Sequence, residues 1–461
     1  MQKIIAKYGL AAHLALLAVA PLFLFPFYDA HVIAIVLLWL TFPAALWVLL
    51  QPSLRHGEMM HNARSRNITS IFHDPLFWIA LTITGMAGIR ALNTGIEMLY
   101  DAENSSWQLA QAIMPLFPAS CNDCGFLPFA VSVAFTVIVT ACRHSLGRAA
   151  RQSYLLVSSL LAGIAAVIAL YQANIGNPLV LDALSCPMRD MSFIGCAFGI
   201  HLASGIVALT ASIENKWNRT LPLSLLSIGA TLAGMIAFAP SHDIALFSIA
   251  AVVVLLYSFL YCMFSVKSAA EFKFVIFITI SLVFGYVFLA ATIPMENILA
   301  RLSAITDGKF FQDGYLAARN TLSAIAVKSW VTKPWTGSGL GSFILDIRFN
   351  ATQSDWASIP RGIQVAPFGY LTLIAERGIV GAAFFALPAL FLIFTFLRRL
   401  VNWLLHITCP TPGCWMGPAV LLSTIASAFF DCSFMRADVI LAVGGVLALS
   451  ASSFPKAGGG R

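Results

Sequence analysis

The feature that most constrains the fold is a succession of apolar runs, each about 20 residues long, along most of the chain. A helix of that length crosses the hydrocarbon core of a bilayer, whereas a soluble domain cannot hide so much apolar surface. Hydrophobic residues make up 59% of the 461 residues and charged residues only 10%, which is typical of membrane proteins. We therefore predict an all-α, polytopic membrane protein.

Twelve runs are predicted to span the membrane. They cover residues 8–27, 31–50, 75–91, 126–142, 154–170, 191–213, 221–239, 244–265, 274–293, 378–397, 415–430 and 439–452. The first run follows Lys3 and Lys7 and is predicted to be a signal anchor, because it is too long for a cleavable signal peptide.

The positions of the basic residues predict the orientation of these spans. With the N-terminus in the cytoplasm, 16 of the 27 lysines and arginines fall in inner segments, and four fall in outer segments apart from one long loop. Basic residues near span ends resist translocation, so both termini are predicted to be cytoplasmic. The net charge of +7 is thereby accounted for, and no nucleic-acid partner is predicted.

Three regions follow from this topology. Residues 1–293 hold spans one to nine, residues 294–377 form one large periplasmic loop, and residues 378–461 hold the last three spans and a cytoplasmic tail. The loop has seven basic residues, which do not contradict the orientation because long loops translocate largely regardless of charge. A second outer loop, residues 93–125, is acidic and contains Cys121 and Cys124; a disulfide within this pair or to Cys186 is plausible.

The large loop carries a predicted helix over residues 315–331, which Pro334 closes. Arg319, Ser323, Ala326 and Trp330 share one face of this helix at spacings of four, three and four residues. A stripe of small residues beneath a guanidinium lets a substrate approach a fixed cation. The alternative is close helix packing, with the arginine at the rim.

A glycine-rich run, TGSGLGSF, follows the helix. Gly337, Gly339 and Gly341 alternate, so backbone N–H groups can approach an anion without side chains in the way. A flexible turn is the default interpretation of such a run. Beside several arginines it becomes a candidate phosphate-binding loop, because guanidinium groups match phosphate oxygens in pairs.

The region resembles the family of O-antigen ligases and of O-antigen or exopolysaccharide polymerases, multi-span bacterial inner-membrane proteins with one large periplasmic loop late in the chain. The matching features are Arg319, Ala326, Pro334 fifteen positions after the arginine, the run from Gly337 to Phe343, and Glu376-Arg-Gly378 with Gly381. The resemblance implies a glycosyltransferase of lipopolysaccharide or exopolysaccharide biosynthesis. Its donor would be a polyprenyl-diphosphate-linked glycan in the membrane, and its acceptor a hydroxyl of another lipid-linked glycan or of lipid A core.

The chain departs from the ligase pattern at one position. Ligases of this family carry a histidine followed by Asn, Ser or Gln, then nine residues before Gly-x-x-Gly, whereas this chain has Pro367 and Phe368 there. Polymerases of the family depend more on arginines. A polymerase, a ligase and a catalytically changed relative therefore all remain open.

The predicted site is built around Arg319 as the contact to the donor diphosphate. Glu376 is the candidate general base, with capping of the tenth span as its structural alternative. Further substrate contacts are expected from the outer arginines and the three glycines: Arg189, Arg301, Arg348, Arg361, Gly337, Gly339 and Gly341. No metal or cofactor is predicted.

Two rival functions come from other classes. A lipid-linked-glycan flippase or other transporter would favour paired ionisable residues deep within the spans, and the predicted spans are almost free of them. A non-catalytic assembly subunit would tolerate replacement of Arg319. Location of Arg319 above the bilayer favours transfer, whereas location inside a central passage favours transport.

Overall fold

Helices account for most of the residues that the structure describes. The computed structural model describes residues 2–24, 30–50, 70–94, 98–101, 106–109, 120, 125–176, 194–215, 220–265, 270–307, 313–359, 368–406, 412–430 and 436–452. The first nine helices are α1 (Gln2–Leu24), α2 (Ala30–Leu50), α3 (Pro75–Leu92), α4 (Phe126–Thr140), α5 (Arg148–Asn174), α6 (Ile194–Glu214), α7 (Leu221–Phe238), α8 (Ser241–Ser265) and α9 (Ala270–Thr292).

The remaining helices follow the ninth predicted span. They are α10 (Met295–Thr306), α11 (Asp313–Thr332), α12 (Phe343–Asn350), α13 (Gln353–Ser358), α14 (Gly369–His406), α15 (Gly413–Ser427) and α16 (Ala437–Ser452). A π-helical turn, Ala141–Ser145, extends α4. Two short strands, β1 (Met98–Asp101) and β2 (Ser106–Leu109), pair as an antiparallel hairpin in the acidic outer loop.

The predicted all-α membrane fold is confirmed, with this hairpin as an unpredicted addition. Each of the twelve predicted spans overlaps a helix. Eight of the described helices are long and apolar enough to cross a membrane, and three shorter apolar helices accompany them. The exact number of spans, the assignment to the bacterial inner membrane and the orientation stay predictions.

The bundle is organised around α6. Its side chains from Ile194 to Ile213 are all buried, because α5, α7, α8 and α16 pack around it. Small residues permit this approach: a Cβ at Gly195 would lie 2.1 Å from the backbone nitrogen of Ala239.

A second, smaller core lies in the large loop. α11 packs against α12 and α14, and this contact buries six apolar side chains: Leu322, Ile325, Ala326, Phe343, Ile347 and Ala375. The helix predicted over residues 315–331 is thereby confirmed as α11, with its predicted face turned towards this core. α14 also contacts α3, so the small core is attached to the end of the bundle where α3 ends.

The other end of α3 carries a buried ion-pair cluster. Asp74 accepts a hydrogen bond from the backbone N–H of Leu76 and so caps the start of α3. The same carboxylate accepts hydrogen bonds from Nε and Nη2 of Arg143 and lies 2.9 Å from Nε2 of His144. Both partners belong to the π-helical turn, so the cluster joins α3 to the end of α4.

Candidate functional site

The glycine-rich run of the large loop lies against a break in α14. We call residues 334–342 the glycine loop. Gly337 and Gly378 have φ angles of 71° and 65°, in the left-handed region that favours glycine. A Cβ at Gly337 would lie 2.4 Å from the carbonyl carbon of Glu376, and one at Gly378 would lie 2.3 Å from the carbonyl oxygen of Trp335. Both glycines are therefore needed for two backbones to touch.

The amide groups of the glycine loop donate to neighbouring carbonyls. Ser338 N donates to Ala375 O at 2.9 Å, and Gly339 N donates to Glu376 O at 3.0 Å. Gly337 N donates to the carbonyl oxygen of Lys333, just before the loop, at 2.9 Å. The first two bonds attach the loop to the last turn of α14 before its break. The predicted contact of the alternating glycines with substrate stays a prediction, and an anion would have to replace these bonds.

The carboxylate of Glu376 occupies the position that an anion would take at the loop. It is only 4% exposed and accepts hydrogen bonds from the backbone N–H groups of Gly341 and Phe343, where α12 begins. Burial raises its pKa to about 7, against the opposing effect of nearby Arg377 and of these N–H donors. The alternative prediction for Glu376 is a structural role, capping the tenth span. In the structure, its carboxylate lies at the N-terminus of α12 instead.

Two arginines lie beside Glu376. Arg90, in the last turn of α3, is 4% exposed, and Arg377 follows Glu376 in α14; both interact electrostatically with its carboxylate and with each other. Burial lowers the pKa of Arg377 to about 10. An ideal Cβ at Gly381 would lie 2.5 Å from Cβ of Arg377 and 3.1 Å from Nη2 of Arg90. Gly378 and Gly381 of the sequence motif thus have different roles: the first admits a backbone, the second admits two arginine side chains.

Ser120 connects α3 to the glycine loop. Its Oγ donates to the carbonyl oxygen of Arg90 at 2.8 Å, and its backbone N–H donates to the carbonyl oxygen of Asn93. The same residue forms a parallel β-bridge with Leu340. The end of α3 and the glycine loop are therefore held together through the acidic outer loop.

Arg319 lies on a buried face of α11. It is 3% exposed, and its Cζ lies 4.6 Å from the ring centroid of Phe368, within the range of a cation–π contact. Ala326, about two turns further on, is part of the small core. The stripe of small residues therefore serves close packing at its far end, while the guanidinium stacks on an aromatic ring at its near end.

Two arginine sites lie at different positions along α14. Phe368 marks the Arg319 site and Glu376 the Arg90–Arg377 site. Eight residues of helix correspond to about 12 Å of rise. Both sites border the small core of the large loop, since α14 runs past each of them.

The other predicted contacts are placed as follows. Arg348 lies on α12 and is exposed, and Arg301 lies in α10. Outside the described residues lie Arg189, Arg361, Pro367 and the three cysteines Cys121, Cys124 and Cys186.

Sequence reasoning missed two residues of this region. In the sequence, Arg90 is one of the four basic residues of the outer segments, and its place at the end of an apolar span is the only indication of a further role. No sequence pattern indicates a role for Asp346. It is buried and its Oδ2 accepts hydrogen bonds of 2.8 Å from both Ser329 and Ser338, so it joins α11, the glycine loop and α12. Burial raises the pKa of Asp346, although these hydroxyl donors lower it.

Comparison with models of known protein families finds no family that matches this chain, and comparison with curated proteins finds no relative.

Proposed function

We propose that this protein is a membrane glycan transferase that uses a polyprenyl-diphosphate-linked donor on the outer face of the bacterial inner membrane. The observation that supports the proposal is the concentration of buried guanidinium groups at one end of the bundle. Arg319 borders the start of α14, Arg377 lies in its first segment, and Arg90 and Arg377 both interact with the carboxylate of Glu376. Guanidinium groups suit an anionic leaving group because they match phosphate oxygens in pairs.

The proposed reaction needs two tasks from the protein. The acceptor hydroxyl gives its proton to a base as its oxygen bonds to the anomeric carbon of the donor sugar. The bond from that carbon to the diphosphate breaks, and the diphosphate leaves with the electron pair. Guanidinium groups stabilise this leaving group by paired hydrogen bonds to phosphate oxygens.

Glu376 fits the role of base on one criterion. A general base works best when its pKa lies near the operating pH, and burial raises the pKa of Glu376 to about 7. Its bonds to the amides of Gly341 and Phe343 hold the carboxylate in a fixed orientation. An arginine-centred site of this kind favours a polymerase over a ligase, because the ligase histidine has no counterpart at Pro367.

The location of Arg319 argues against the transporter alternative. α11 belongs to the small core of the large loop and packs on α12 and on the segment of α14 before its break. Arg319 belongs to this packing in the large loop and lies next to Phe368. This placement supports transfer over transport.

The test is the glycan phenotype of a deletion strain that expresses variants of Arg319. Arg319→Ala is expected to abolish glycan assembly while the protein inserts at normal levels. Arg319→Lys should restore little, because an ammonium group cannot form the forked contact. Lys328→Ala is the matched control: this residue is exposed on the opposite face of the same helix and should leave the glycan unchanged.

Each outcome of this test has a distinct meaning. Loss of chain length identifies a polymerase, and loss of attachment identifies a ligase. Unchanged glycan length and abundance in Arg319→Ala would refute the proposal and leave the non-catalytic alternative.

A further inference from the structure

We propose that an exposed apolar patch of the large loop rests in the outer interface of the bilayer, where the lipid headgroups meet the acyl chains. The patch consists of Val331, Trp335, Ile379 and Val380, and we call it the interface patch. Its partner is lipid, and the contact anchors the loop to the membrane. This inference goes beyond the proposed function and does not depend on it.

The four side chains of the interface patch are large, apolar and exposed. Val331 and Trp335 are each 66% exposed, Ile379 is 42% exposed and Val380 is 39% exposed. Leaving such side chains in water is costly, and a group of them on a folded protein marks a surface that contacts a partner or a membrane. α11 buries another of its sides in the small core, so this core does not cover the patch.

Backbone hydrogen bonds join the interface patch across the break in α14. Ile379 N donates to Pro334 O at 2.9 Å, and Val380 N donates to Trp335 O at 3.3 Å. Val331 lies four residues before Trp335, in the last turn of α11. The start of the glycine loop and the outer end of the predicted tenth span therefore lie side by side.

The interface patch continues a stripe of exposed apolar side chains along α14. After the break at Gly378 these side chains recur at spacings of three and four residues, so they lie on one side of the helix. They are Ile379, Ala383, Leu387, Leu390, Phe394 and Leu397. Residues 379–397 include no charged residue, and Arg398 and Arg399 follow them. An exposed stripe of this kind on a spanning helix faces the acyl chains.

The length of the stripe places Trp335 at the outer interface. From Ile379 to Leu397 the helix rises about 27 Å, and the hydrocarbon core of a bilayer is about 30 Å thick. With Arg398 at the inner headgroups, Ile379 therefore reaches the outer edge of the hydrocarbon. Trp335 lies beside it, and tryptophan is enriched at this depth because its ring is apolar and its indole N–H is polar.

The anchor also sets the position of the glycine loop. Trp335 belongs to this loop, and the loop amides donate to the carbonyl oxygens of Ala375 and Glu376. Burial of the Trp335 ring in the interface therefore holds the loop and the neighbouring turn of α14 at the level of the lipid headgroups.

The experiment measures tryptophan fluorescence of the full-length protein in nanodiscs of phosphatidylcholine. Bromine atoms on the acyl chains close to the carbonyl group quench a ring in the interface, whereas iodide quenches a ring in water. The chain has 10 tryptophans, so the signal of Trp335 is the difference between the wild type and Trp335→Phe. We expect the brominated lipid to remove about half of this signal, and iodide to remove little of it.

Trp356 provides the matched control. It is 48% exposed and lies on α13 in the same large loop, next to the exposed polar residues 352–354. The signal of Trp356, taken as the difference between the wild type and Trp356→Phe, should be quenched by iodide and not by the brominated lipid.

A second variant makes the test independent of Trp335→Phe. Val331→Trp adds a ring at an exposed position of the interface patch, so it should fold and insert normally. The added fluorescence should again be quenched by the brominated lipid and shielded from iodide.

Two results would overturn the inference. Quenching of Trp335 by iodide to the level of Trp356 would place the interface patch in water. Protection of Trp335 from both quenchers would mean that protein covers the patch, and two copies per nanodisc would identify the cover as a second copy of this chain.

Discussion

The two ends of α3 carry buried charge clusters that differ in one respect. At the start of the helix, Asp74 accepts hydrogen bonds from Leu76, Arg143 and His144. Both carboxylate oxygens therefore have donors, and Arg143 compensates the negative charge. Burial alone raises the pKa of Asp74, but the bonds from His144 and Arg143 outweigh burial and hold it below its ordinary value. At the far end, burial dominates: the pKa of Glu376 rises to about 7 although two arginines are near.

This difference separates a structural cluster from a candidate binding site. A carboxylate that its partners keep ionised stabilises the fold through those partners. Glu376 is held by the backbone amides of Gly341 and Phe343, and the two nearby arginines interact with its carboxylate electrostatically. Chemically similar residues at the two ends thus serve different purposes because their partners differ.

The largest expected effect is loss of stability at the Asp74 end. Asp74→Ala removes the cap of α3 and leaves Arg143 and His144 without their carboxylate, so the free energy of unfolding should fall by about 4 kcal/mol. Chemical unfolding in detergent measures this change. Asp74→Asn keeps an oxygen for Leu76 and should lose less. A normal free energy of unfolding in Asp74→Ala would show that the cluster is not a structural one.

The next effect is the pH dependence from Glu376. Its pKa rises from 4.5 to about 7 on folding, so the folded protein binds a proton in this interval that the unfolded chain does not. Stability should therefore fall by about 3 kcal/mol as the pH rises from about 4.5 to 7. Asp74 acts in the opposite direction and below this interval, since its lowered pKa makes stability fall on acidification.

Unfolding measured across this pH range in Glu376→Gln tests the assignment. The variant has no titrating group at this position, so its stability curve should lack the fall between pH 4.5 and 7. It should be at least as stable as the wild type at neutral pH. An unchanged slope in the variant would mean that another group titrates.

A smaller effect is expected from Gly381→Ala. The added methyl group must displace Arg377 and Arg90, which should lower the free energy of unfolding by about 2 kcal/mol. Gly85→Ala is the matched control, because a Cβ at this position of α3 meets no atom within 4 Å. That substitution should stabilise the helix by about 0.5 kcal/mol. Equal effects of the two substitutions would argue against the crowded site.

The sequence alone predicts the helices but not the contacts between them. Apolar runs predict the membrane helices, and helical spacing that ends at Pro334 predicts α11. Both signals are local in the sequence. The meeting of Arg90 with Glu376 depends on packing of α3 against α14, which no local pattern encodes. For the same reason the alternating glycines predicted open amides, whereas the amides of Gly339 and Gly341 donate to the distant residue Glu376.

The most direct test of the difference between the two clusters compares one matched pair of variants. Asp74→Asn and Glu376→Gln each remove one carboxylate charge and keep the shape of the side chain. The measurement is the amount of surface glycan per inserted protein molecule in a deletion strain. We predict that Asp74→Asn keeps normal output per molecule despite lower protein levels, whereas Glu376→Gln inserts normally and loses most of its output. Normal output from Glu376→Gln, or loss confined to Asp74→Asn, would contradict this account.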